Sequence, residues 1–213
     1  MLPPILTAMQ QLGHTVFLNG DYNLNLFGIR DPRNADTYND LIGCACKING
    51  QWGVLYWHAT TDPGGRYMTN PLAGTKGTAS LVPGQYRGVW VIGPHGKSGY
   101  NALIQRGGQV DVYRDANLDL THNYEDSTIE RGYFGINIHA PISTPYSVSV
   151  DYTDKPVRSA SAGCQVHATT QGFLDMMELC KRQVEHGHGD TFSYTLMLLE
   201  DVWDALANVS SRA

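Results

Sequence analysis

The chain has 213 residues, 42% of them apolar and only 16% charged, with 23 glycines, a length and composition that favour one strand-rich globular domain with many turns over a charged or disordered chain. The formal net charge is −5, and no cluster of Lys and Arg is present to follow a phosphate backbone, so nucleic acid is not an expected partner. No run approaches the roughly 18 consecutive apolar residues of a membrane-spanning helix, and Met1-Leu2-Pro3-Pro4 lacks the basic and apolar regions of a secretory leader; the chain is expected to be made and folded in a cytoplasm, as a monomer, without a cofactor.

Residues 3–12 are expected to form a short helix, with the two prolines tolerated in its first turn. From Asp40 the pattern is strand. LIGCACKI, Asn49-Gly50 and QWGVLYWHA predict a hairpin, because Asn-Gly accepts the positive φ of a type I′ turn. Residues 60–85, rich in Gly, Thr and Pro, read as a long connection. A strand follows over residues 86–93, and NALIQR and QVDVYR on either side of Gly107-Gly108 read as a second hairpin. An irregular polar stretch spans residues 115–131. GYFGINIHA reads as a short strand ending at His139, and residues 141–163 as a loop. Residues 169–186 carry Phe173, Met176, Met177 and Cys180 at helical spacing, with Val184 beyond, under a Thr cap and before Gly187. TFSYTLMLL is then a last strand packed under that helix. The fold class is therefore mainly β with one or two helices (α+β), in a single domain over residues 1–213.

Four cysteines, at 44, 46, 164 and 180, form neither a disulfide framework nor a CxxC pair. Cys44, Cys46 and Cys180 lie in apolar patterns and are expected to be packed thiols. Cys164 differs, lying in Ser159-Ala160-Ser161-Ala162-Gly163-Cys164-Gln165-Val166-His167 between a loop and a helix start. A nucleophilic thiol needs room for a carbonyl and backbone N–H groups for the oxyanion, and small neighbours supply both. His139, at a strand end, is the candidate base. Of the remaining histidines, His58 reads as a sheet residue, and His186 and His188 as a helix end with no third metal ligand. Metal-ligand spacing such as HExxH is missing, so no metal is expected. Trp52, Trp57, Trp90 and Trp203 are expected in the core, Trp57 and Trp90 being the choices if a glycan binds.

The order of a strand-end His in Gly135-Ile136-Asn137-Ile138-His139, a loop, and Ser161-Ala162-Gly163-Cys164 before a helix resembles the L,D-transpeptidase catalytic (YkuD-like) family. Val82-Pro83-Gly84-Gln85-Tyr86 is similar to that family's Pro-x-Gly segment. The resemblance covers roughly residues 80–200. It implies a YkuD-like mixed β-sandwich or barrel with a helix after the Cys loop; residues 1–80, which the resemblance does not explain, are expected to be a strand hairpin and extension packed on that core. It also implies an acyl-enzyme on Cys164, His139 as base, the Gly163 and Cys164 N–H groups as oxyanion donors, and the backbone carbonyl of Ala140 as the orienter of the imidazole. The family's second His is Ala162 here and its Arg is Val166. His95, His122 and His167 are possible substitutes for the first, and Arg158 for the second. His95, Ser161, Arg158 and Tyr100 are the expected substrate contacts.

These departures resemble phage versions of the family. With no leader expected, they point to an endolysin-like peptidase that acts on peptidoglycan stem peptide after release from the host cell. An L,D-transpeptidase forming crosslinks, a non-catalytic wall-binding or virion structural domain, and a metal-dependent peptidase are the alternatives.

Overall fold

The computed structural model describes residues 1–210; the last three residues of the expected single domain lie outside them. In chain order the elements are α1 (Pro4–Gln11), β1 (Asn25–Arg30), β2 (Asp40–Ile48), β3 (Gln51–Thr60), α2 (Gly65–Thr69), β4 (Thr78–Leu81), β5 (Gly84–His95), β6 (Tyr100–Gln105), β7 (Val110–Asp115), β8 (Glu130–Gly132), β9 (Ile138–His139), β10 (Gln165–His167), α3 (Thr170–Glu185), β11 (Thr191–Leu198) and α4 (Leu199–Ser210). The protein is mainly β in an α+β arrangement, with four helices among the described residues rather than one or two. Eight strands close a barrel in the order β1-β11-β5-β6-β9-β10-β3-β2, and β4-β7-β8 form a separate small sheet. No helix among the described residues is long and apolar enough to cross a membrane.

The β2–β3 hairpin turns through Asn49 and Gly50 at φ 51° and 73°, the positive values a type I′ turn demands. Its strands, with β1, are staves of the barrel rather than an extension laid on it. Inside, Leu26, Ile42, Trp90, Leu103, Ile138 and Tyr194 form one cluster with Phe173, Met176, Met177 and Cys180 of α3; each such side chain buried contributes about 1.5–3 kcal/mol. Cys44, Cys46 and Cys180 are free, buried thiols of this core. A second cluster covers the outer side of the barrel, where Leu6 and Met9 of α1 and Val202 and Ala205 of α4 meet Phe27, Ala45 and Met197. Both faces of β1 are therefore buried, and all six of its residues are inaccessible.

Several expectations need correction. NALIQR and QVDVYR are not hairpin partners: β6 pairs with β5 and β9 in the barrel, whereas β7 pairs with β4 and β8. Gly107 serves a close approach instead, since a Cβ there would lie 2.0 Å from the Gly88 carbonyl oxygen, and its N–H donates to Val89 O. The connection over residues 60–85 contains α2 and β4. Trp203 is 65% exposed, because Val202 and Ala205 occupy the inward side of α4, a helix the sequence pattern did not disclose. In α3, Thr169 Oγ1 caps the Gly172 N–H at 3.0 Å. Val184 is exposed, while neighbouring Gln183 turns inward to donate to Thr191 O and accept from Leu24 N.

A buried charge cluster ties β1, β3 and β4 together near the site. The Arg30 guanidinium, fully inaccessible, donates to Thr61 Oγ1 at 3.0 Å, Thr61 O at 2.7 Å and Leu81 O at 2.9 Å, and pairs with Asp62 at 3.2 Å. Burial, together with the Asp62 charge, pushes the Asp40 carboxyl up to about 7. The same Thr61 carbonyl accepts from Gln165 Nε2 at 3.2 Å, which anchors the residue after Cys164 to the cluster.

Candidate active site

The short parallel pair β9 and β10 sets the geometry. Ile138 faces Gln165 and His139 faces Val166 in register, and Gln165 N–H donates to Asn137 O at 2.9 Å. Cys164 immediately precedes β10, so the fold carries it back beside the approach to His139. The stretch 133–137, expected to be strand, is irregular, with Gly135 at φ 72°.

Side chains replace the missing ladder there. Gln105, 5% exposed, accepts from the Phe134 N–H at 3.1 Å and the Ile136 N–H at 3.0 Å, and donates to Gly132 O at 2.9 Å. Trp90 Nε1–H donates to Ile136 O at 2.8 Å. The segment so fixed presents two backbone groups to Cys164. The thiol donates to Gly135 O at 3.3 Å, and the Asn137 N–H donates to Sγ at 3.5 Å.

His139 is buried, at 6% exposure. Its Nδ1 lies 2.7 Å from the Ala140 carbonyl oxygen; a carbonyl only accepts, so Nδ1 carries the proton and Nε2 keeps a basic lone pair. His95 stacks on His139 with ring centroids 4.2 Å apart. Asn137 Oδ1 accepts from the Gln105 N–H at 2.9 Å, which leaves Nδ2–H to donate to His95 Nδ1 at 3.3 Å and fixes the His95 proton on Nε2. Tyr100 packs edge-on to His95 at 5.4 Å. Burial raises its phenol pKa, the Ala140 backbone opposes that, and nearby Cys164 adds to it.

Burial, with a smaller contribution from His95, pushes His139 down to about 3, and burial pushes Cys164 up to about 11 against the pull of the Asn137 N–H. The resting pair is therefore neutral thiol and neutral imidazole rather than an ion pair. His139 makes no hydrogen bond to the thiol in this state; the bonds of the thiol are those to Gly135 and Asn137. Catalytic contacts of this kind are often completed only when substrate is bound.

The turn into Cys164 is closed by Ser161. Its hydroxyl donates to Cys164 O at 2.8 Å and accepts from the Gly163 N–H at 3.1 Å, and the residue is fully buried. Two expectations change with it: Ser161 is a turn residue rather than a substrate contact, and the Gly163 N–H is already engaged. The Cys164 N–H meets no acceptor among the described residues and is the donor left for an oxyanion. Gly163 itself is required by shape, since it sits at φ 120° and a Cβ would lie 2.5 Å from Ala79 O.

A cleft of about 370 Å³ beside His139 is lined by His95, Lys97, Tyr100, His139 and Ala140, and by Ser159 and Ala160 from the long loop. Arg158 lines the adjoining cavity instead. Cys164 lines neither; it is half-buried and packs against the cluster of Tyr38, Val157, Val166 and Ala168. Of the other proposed histidines, His122 belongs to the Arg30 charge cluster, 4.0 Å from Asp62. His167 is fully buried between Trp57 and Phe173, with Nε2 3.3 Å from Met176 Sδ. His186 and His188 bond backbone carbonyls, and no group of metal ligands forms among the described residues.

Sequence reasoning missed Gln105, Asn137 and Gly135. Asn137 had a signal, standing two residues before His139 as a same-face neighbour; Gln105 had none. In comparisons with known proteins, no family model, curated protein or solved structure matches this chain.

Proposed function

We propose that the chain is a cysteine-dependent peptidase of bacterial cell-wall stem peptide, endolysin-like in acting on the wall after release from the host cell. The observation that supports acyl-transfer chemistry is the tautomer of His139. With Nδ1–H held on Ala140 O, Nε2 is a free base on the strand paired with the one that begins beside Cys164. The peptide substrate class rests on the resemblance to the YkuD-like family.

In the proposed reaction the Cys164 S–H leaves Gly135 O and turns to His139. The proton passes to Nε2 as sulfur bonds the substrate carbonyl carbon, and the Cys164 N–H faces the oxyanion. His139 then protonates the leaving amine as the C–N bond breaks, giving a thioester. A water molecule, deprotonated by His139, attacks the thioester and releases the acid and the thiol. Because the resting pair is neutral, proton transfer accompanies attack rather than preceding it.

Mass spectrometry of muropeptides digested with wild-type and Cys164→Ala protein tests this. Shortened stems are expected with the wild type alone; unimpaired cleavage by Cys164→Ala would overturn the proposal, and crosslinked dimers among the products would replace hydrolysis with transpeptidation.

A further inference from the structure

The cavity next to the His139 cleft measures about 480 Å³ and shares Pro141, Ser159 and Ala160 with it, so the two adjoin. Its polar lining is rich in donors. Lys155 and Arg158 stand on its wall, and among the described residues their side chains have no carboxylate, hydrogen-bond or aromatic partner. Elsewhere Arg30, Arg33, Lys76, Arg114 and Arg131 each engage a carboxylate. Among the described residues no Asp or Glu lines the cavity, although the chain carries 20 acidic residues against 15 basic ones.

Tyr38 adds a second, independent observation. It lines the same cavity and is only 2% exposed, yet its hydroxyl has no hydrogen-bond partner among the described residues. The hydroxyl is not among the sealed, unpaired polar atoms of the interior; it keeps access to the cavity, where an O–H without a protein partner can donate to an acceptor from outside. The backbone that presents Arg158 is held firmly. Arg158 adopts φ 53°, costly for a residue other than glycine, and its N–H is fixed by Asp36 Oδ1 at 2.6 Å. Gly64 presses so close that a Cβ there would lie 2.1 Å from the Arg158 carbonyl oxygen. Asp36 Oδ1 accepts from the N–H groups of Arg158 and Gly65, and its charge, after burial and Tyr152, helps to raise the Tyr38 hydroxyl pKa, which keeps that hydroxyl a donor.

The geometry points to a carboxylate-binding subsite in which Lys155, Arg158 and the Tyr38 hydroxyl receive an acidic group of the peptide substrate. Two cations and a neutral O–H converging on one cavity suit a ligand that only accepts hydrogen bonds, and Arg can take a carboxylate in bidentate fashion. The assignment rests on the peptide-substrate proposal above and deepens it. It gives the long 140–163 loop a role in selecting acidic stems.

The test uses full-length Cys164→Ala protein, which binds without turnover, titrated calorimetrically with a synthetic stem tetrapeptide in two forms: free side carboxylates, and the same groups as carboxamides. The acid is expected to bind at least about tenfold tighter than the amide. Lys155→Gln with Arg158→Gln should abolish that preference, and Tyr38→Phe, a buried shape-conserving change, should reduce it. Equal binding of acid and amide, a preference surviving in the double variant, or no binding of either peptide overturns the subsite. Muropeptide cleavage by wild type is scored separately. Cys164-dependent cleavage with no acid preference removes the subsite and leaves the peptidase; acid-selective binding without cleavage does the reverse.

Discussion

Replacing Gln105 by Leu removes the side chain that shapes the approach to both candidate catalytic residues. The Phe134 and Ile136 N–H groups lose their acceptor, and Gly132 O loses its donor. A buried polar group left unpaired costs about 1–3 kcal/mol; Ile136 is buried and Phe134 half-buried, so the sum is about 3 kcal/mol for a substitution of similar volume. The consequence reaches the thiol, because residues 134–136 carry the Gly135 carbonyl to which Cys164 donates. Urea unfolding gives the stability. Iodoacetamide labelling, resolved by peptide mass, gives the reactivity of Cys164, with buried Cys44, Cys46 and Cys180 as internal controls. Faster labelling of Cys164 alone is expected alongside the stability loss. A change below about 1 kcal/mol with unaltered labelling would refute the claim that Gln105 holds the site.

Three further outcomes follow from the geometry. His139 is depressed to about 3 in the folded chain by burial first and His95 second. The unfolded chain therefore takes up the extra proton as pH falls below about 6.5, so the contribution of this group is full above that value and lost toward about 3. Between about pH 6.5 and 4.5 the wild type should lose about 2 kcal/mol that His139→Gln does not; parallel denaturation midpoints for the two proteins would contradict this. Gly163→Ala, forced to φ 120° with its Cβ 2.5 Å from Ala79 O, should destabilise by about 2 kcal/mol or more, and an unchanged thermal midpoint would count against it. With Cys164 pushed up to about 11, its alkylation rate should climb about tenfold per pH unit up to about pH 9, whereas a plateau near neutrality would show a preformed thiolate.

What the sequence discloses is what is encoded locally. Asn49-Gly50 specifies its own turn, and the spacing of Phe173, Met176, Met177 and Cys180 specifies α3. Gly107-Gly108 misleads because the same residue type serves two purposes, a turn or a close backbone approach, and only the position of Gly88 decides between them. The parallel pairing of β1 with β11 depends on contacts between opposite ends of the chain, which no local pattern carries. At the site, Cys164 and His139 stand out through their neighbours. Ser161 misleads because a small polar residue near a thiol resembles a substrate contact, whereas its buried hydroxyl closes a turn. Tyr38 carries no local signal in the sequence, and its place on the cavity wall emerges only from the fold.

The failure of the strand pattern at residues 133–137 coincides with the site for a physical reason. Had the apolar run before His139 continued as regular strand, its N–H and C=O groups would have been spent on neighbouring strands, as the single β6–β9 register pair at Leu103 and Ile138 already shows for that residue. Gly135 at positive φ breaks the ladder, and the amide of Gln105 and the indole of Trp90 satisfy the inner groups from the side. That leaves Gly135 O and the Asn137 N–H unspent and facing Cys164. A donor and an acceptor beside one thiol can hold it as S–H at rest and stabilise it as sulfur gains charge, which a fully paired strand could not do. Local irregularity that the surrounding structure over-determines is what a functional position costs a fold. Here the cost is carried by Gln105, whose removal is accordingly the sharpest way to separate the site from the barrel that supports it.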